Sequence, residues 1–181
     1  MTPVDPSRRR VLVTAVLILC ANAPVSAQTP SGGVLESPES LVRHVYDLVT
    51  FDAGQTPDWD TVRSMFIEDA VIVLRTSRDS TTVFSVNGFV DDFVAFAERA
   101  DVRRSGFKEN VVRIEAMEFG EMAHVLVLYE ASIPGSERSP QQGVDSFQLI
   151  KRGGRWWIVS ITNEIPTADR PIPEALREGG S

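Results

Sequence analysis

Cysteine is almost absent from this chain. Of 181 residues only Cys20 carries a thiol, which excludes a disulfide framework and leaves no thiol nucleophile beyond the N-terminal stretch. Histidine is scarce too. His44 and His124 are the only imidazoles, and no cluster of histidines and carboxylates has metal-ligand spacing, so neither a metal nor another cofactor is expected. Lysine occurs twice, at Lys108 and Lys151, which argues against Schiff-base chemistry. There is no internal repeat of solenoid length. Positive charge is in deficit, with 18 Lys and Arg against 25 Asp and Glu. That balance excludes nucleic acid and an anionic membrane surface as partners, since both require a basic face.

The composition is otherwise that of a globular protein, 43% hydrophobic and 24% charged. The N-terminus is organised differently from the rest. Arg8, Arg9 and Arg10 form a positive cluster, residues 11–21 are apolar but too few to span a bilayer, and Val25-Ser26-Ala27 suits a signal peptidase. Residues 1–27 therefore read as a cleavable signal peptide, and the expected location is periplasmic or secreted. Ser7-Arg8-Arg9-Arg10-Val11-Leu12 resembles a twin-arginine signal, but the apolar stretch after it is more hydrophobic than that route uses, which favours general secretion. Leu19 before Cys20 is too large for lipoprotein processing. The leader carries Asp5 against three arginines, so where the whole chain is −7 the remainder is −9.

The remaining 154 residues suffice for one domain with its own core. Residues 28–36 read as a flexible lead-in. Ser37-Pro38 opens a helix whose Leu41, Val42, Val45, Tyr46, Leu48 and Val49 form one apolar stripe. Asp58 caps a second, shorter helix, and a third follows Asn87-Gly88. Residues 70–75 and 81–86 read as a hairpin, and 107–119, 124–133, 143–152 and 155–165 as four long strands joined by hairpins. The last turn, Gly153-Gly154, is a strong two-residue signal. Residues 37–165 thus form an α+β domain, a curved antiparallel sheet covered by about three N-terminal helices, and 166–181 a loose Pro-rich tail with a short turn of helix at Glu174 to Arg177.

Two stretches make this order more specific. Pro57-Asp58-Trp59-Asp60 with Phe66-Ile67-Glu68-Asp69-Ala70 resembles the second helix and first strand of NTF2-like (SnoaL-like, cystatin-like) domains. Gly143-Val144-Asp145-Ser146-Phe147-Gln148-Leu149-Ile150 with Gly154-Arg155-Trp156-Trp157-Ile158-Val159 resembles their closing hairpin. The resemblance covers residues 36–164. It implies a cone-shaped fold with a cavity between helices and sheet, and dimerisation through the outer sheet face.

The resemblance also implies candidate residues. In ketosteroid-isomerase-like members, an acid matching Asp145 stays protonated and donates to an oxyanion, and a tyrosine on the first helix, here Tyr46, assists. Their general base would fall on Leu74, which cannot take a proton. Scytalone-dehydratase-like members pair histidine with carboxylates, which makes His44 and His124 candidates. Trp59, Phe93, Tyr129, Trp156 and Trp157 are candidates for lining the cavity. Trp156 and Trp157, adjacent in a strand, must point to opposite faces. Two functions follow from the sequence. One is an exported domain that binds an apolar small molecule or assembles as a homodimer. The other is a SnoaL-like lyase, isomerase or cyclase acting through Asp145, with Tyr46 or His44.

Overall fold

The structure, a computed structural model, describes residues 33–77 and 79–177. The expected signal peptide lies outside them. Among the described residues no helix is long and apolar enough to cross a membrane.

Helix α1, Pro38–Val49, starts where its cap dictates: the Ser37 side chain accepts from the Ser40 N–H, and Pro38 occupies the first helical position. Leu41, Val42, Val45, Tyr46 and Val49 are all buried. The two-residue strand β1, Phe51–Asp52, follows. Helix α2, Trp59–Arg63, is capped by Asp58, which accepts from the Thr61 N–H. Strands β2, Phe66–Ser77, and β3, Ser80–Ser85, form a hairpin. Helix α3, Val86–Ala97, then begins at Val86, because the Ser85 side chain caps it by accepting from the Gly88 N–H. A fourth helix, α4 (Ala100–Ser105), leads into four long strands: β4, Gly106–Phe119; β5, Met122–Ser132; β6, Gln141–Arg152; and β7, Arg155–Glu164.

The strands form one curved, unclosed sheet in the order β1-β4-β5-β6-β7-β2-β3. One pair departs from the expected antiparallel pattern: β2 runs parallel to β7. Its cause is the α3 crossover, which carries the chain from β3 at one edge to β4 near the other. The β6–β7 turn is the expected one, with Gly153 and Gly154 both at positive φ (63° and 82°), a conformation that favours glycine in a two-residue hairpin.

Helix α1 lies over β4, β5 and β7, and α3 over β2 and β3. The core sits between helices and sheet. Val125, Val127 and Tyr129 of β5, Phe147 and Leu149 of β6, and Ile158 and Ile161 of β7 belong to it. The tail, as far as residue 177, is docked rather than loose. A single 3-10 turn, Glu174–Leu176, docks on β4 and β5, and Leu176 is 2% exposed. It sits on the face carrying Leu128, whose neighbours Val127 and Tyr129 point the other way into the core.

Candidate functional site

Strand register assembles the site. Asp145 of β6 stands opposite Asn163 of β7, and Tyr129 of β5 stands opposite Gly143 of β6. Directly opposed residues share a face, so all three meet on the inner face. Glu109 of β4 lies two residues from Val111, which pairs with Tyr129. It therefore points inward at the same end of the sheet. Helix α1 lays Tyr46 across them.

The contacts are short. The Tyr46 hydroxyl donates to Asp145 Oδ2 at 2.6 Å. Asn163 Nδ2 donates to Asp145 Oδ1 at 2.7 Å and to the Tyr129 hydroxyl at 3.0 Å. Glycine at 143 makes this possible, because a Cβ there would collide with the Tyr129 ring. The Glu109 backbone N–H and C=O are both bonded to Thr50 Oγ1 (2.9 and 3.2 Å). Its carboxyl makes no hydrogen bond to a described residue.

These groups face a cavity of about 300 Å³, walled by Phe89, Phe93, Phe96 and Phe107 on one side and by Phe147 and Ile161 on the other. Both carboxyl residues are half-buried, and both line this cavity. Burial pushes Asp145 up to about 6, while the bonds from Tyr46 and Asn163 pull it back toward the ionised form. Burial, reinforced by the Asp145 charge, pushes Glu109 up to about 8. The Tyr46 and Tyr129 hydroxyls are held well above the usual phenol range, first by burial and next by Asp145. At the mouth, Arg75 meets Glu164 through both Nε (2.5 Å) and an outer guanidinium nitrogen (2.6 Å), and Arg170 reaches the same carboxylate at 3.1 Å.

Both carboxyls are thus raised, Glu109 above Asp145. Each Asp145 oxygen accepts one hydrogen bond, from Tyr46 and from Asn163. Tyr46 meets it directly. Leu74 lines the cavity where the resemblance would place a base. Neither histidine joins the site. His44 is half-buried on α1 and does not line the cavity. His124 alternates with inward Val125, so it faces outward, where Gln148 Nε2 donates to its Nδ1 at 2.6 Å.

Of the candidate lining residues, Phe93 and Tyr129 face the cavity and three do not. Trp59 packs behind Phe93 (ring centroids 5.8 Å apart) and borders a separate cleft with Gly54 and Pro57. Trp156 is fully buried at the hairpin end of the sheet, where its backbone N–H donates to the Leu35 carbonyl and its indole N–H has no partner among the described residues. Trp157 is half-buried, with its indole N–H bonded to the Arg152 carbonyl and the Arg155 guanidinium 3.7 Å over its ring. Glu109 and Asn163 were not evident from the sequence. Their signal was a polar residue in phase with apolar ones two positions away, Phe107 and Val111 for the first and Ile161 for the second. Among the described residues no group of His, Cys, Asp and Glu could hold a metal ion.

No family profile and no curated protein matches the chain. Solved structures do. An NTF2-like protein of unknown function from Pseudomonas putida KT2440 aligns with a TM-score of 0.57 at 11% identity, over 75% of this chain and 89% of that one. An NTF2-like protein with a cystatin-like fold from Novosphingobium aromaticivorans aligns with a TM-score of 0.57 at 13% identity, over 72% and 81%. A protein from the same organism, provisionally described as a scytalone dehydratase, aligns with a TM-score of 0.54 at 13% identity, over 78% and 90%. The domain thus has the NTF2-like, cystatin-like α+β fold.

Proposed function

We propose that this protein is an acid–base catalyst of the SnoaL-like kind, an isomerase, lyase or cyclase acting on a hydrophobic small molecule. One observation carries the proposal: Asp145 sits in an apolar cavity with Tyr46 at 2.6 Å and Asn163 at 2.7 Å. A carboxylate titrating near 6 is a competent base at neutral pH and is regenerated by a small change in conditions. Tyr46 and Asn163 fix its orientation, and each of its oxygens keeps a lone pair for a substrate proton. Asp145 and Glu109 also have environments that push their titrations apart, the usual mark of a paired acid and base.

Leu74 supports the other reading, a domain that binds without turnover, because it occupies the base position of the isomerase-like pattern. The two are separated by incubating the protein in D2O with a panel of hydrophobic ketones and alcohols. Deuterium gain and loss of water are then followed by mass spectrometry. Catalysis predicts at least one compound turned over by wild type and slowed about 100-fold or more by Asp145→Asn. Compounds that bind wild type and Asp145→Asn alike, with no turnover of any, would leave a binding domain.

A further inference from the structure

Among the described residues the ionisable groups lining the cavity are mostly acidic. Glu109 enters from β4 with a carboxyl that no described residue satisfies. The ionisable groups facing it are Asp145 from β6, Tyr129 from β5 and Tyr46 from α1, and none is a cation. Among the described residues the only cation in the lining is Arg75 from β2, and its guanidinium is held edge-on by Glu164. Asp92 from α3 lines the cavity as well, and Asp79, Asp169 and Arg170 line a neighbouring cleft that shares Arg75, Gln141 and Ile165 with it. The whole chain carries −7.

Three ligand chemistries meet this arrangement differently. An anion finds two carboxyls and no uncommitted positive group inside. A neutral molecule gains one hydrogen bond from the Glu109 carboxylic acid. An ammonium ion brings both the opposite charge and up to three N–H donors to the carboxyl that lacks any. The aromatic wall favours the same choice. Phe96 and Phe107 stand with centroids 5.0 Å apart, Phe93 is 5.9 Å from each, and Tyr46 and Tyr129 lie opposite. Aromatic faces attract desolvated cations.

We propose that the cavity takes a hydrophobic amine as its ammonium ion, seated between Glu109 and Asp145 with its apolar body against the phenylalanine wall, and that it enters in exchange for the proton of Glu109. The exchange balances: the ammonium keeps its protons, the Glu109 carboxyl becomes a carboxylate, and its proton goes to the solvent. The proposal shares the cavity with the function proposed above, but it depends on binding and not on turnover.

Isothermal titration at pH 7 tests it with 2-phenylethylammonium, 2-phenylethanol and phenylacetate, each in two buffers of different ionisation enthalpy. The ammonium should bind at least about tenfold tighter than the alcohol, phenylacetate should bind most weakly, and about one proton should be released per ammonium bound. Glu109→Gln, checked by its melting curve, should abolish the release and the preference. If that variant does not fold, the wild-type proton count and selectivity decide. Equal or tighter binding of the alcohol, ammonium binding without proton release, or no ammonium binding up to millimolar concentration would each overturn the proposal. Because no turnover is read, its failure leaves the deuterium-exchange test standing, and the converse holds too.

Discussion

At the scale of single residues, the site depends on one glycine as much as on its acids. Tyr129 lies over Gly143, and that packing places its hydroxyl against Asn163, which in turn holds Asp145. Gly143→Ala should therefore cost about 2 kcal/mol or more in folding stability, the usual penalty for overpacking a core. In a Tyr129→Ala background the same change should cost much less, because the colliding ring is gone. Urea denaturation of the four proteins in that cycle measures the difference. Asp145 and Tyr46 were legible from sequence because a short motif and a helix stripe carried them. Glu109 and Asn163 were not, because their role depends on which face each strand presents. Parity changes at the irregularities between Val111 and Arg113 and beside Leu149, so a slip of one residue exchanges wall and solvent.

At the scale of elements, the boundaries that the sequence marked with specific chemistry were legible. Ser37 and Asp58 cap α1 and α2, and Gly153-Gly154 turns the last hairpin. Elements without such marks were not. Helix α4 buries only Val102, too little to give a period. Strand β1 has two residues. Of the tail only the short helical turn near Glu174 was legible; its docking depends on Leu176, one apolar residue in a proline-rich stretch with no pattern to announce it. Its near-complete burial predicts that Leu176→Ala lowers stability by about 2 kcal/mol, toward the low end for core leucines because a terminal segment can relax. Urea unfolding with an unchanged slope would measure it. A change near zero would mean that the tail contributes nothing to the fold.

At the scale of the whole molecule, the cavity makes stability depend on pH. Asp145 and Glu109 both titrate higher in the folded protein than in the unfolded chain, so the folded state binds more protons across that interval. Stability is then full below about pH 4 as far as these two groups are concerned, and is lost as pH rises through about 6 and about 8. Between pH 5 and pH 8 the loss should be on the order of 3 kcal/mol, with residual solvation of the half-buried groups allowed for. Thermal melts of wild type should fall over that range, and melts of Glu109→Gln should fall less. The central claim is that Asp145 and Glu109 share a cavity that sets them apart as base and acid near neutral pH. Its most direct test is a 13C NMR titration of the side-chain carboxyls. The account predicts Asp145 titrating near 6, Glu109 near 8, and a lower Glu109 value in Asp145→Asn. Both carboxyls titrating below about 5, like exposed groups, would contradict it.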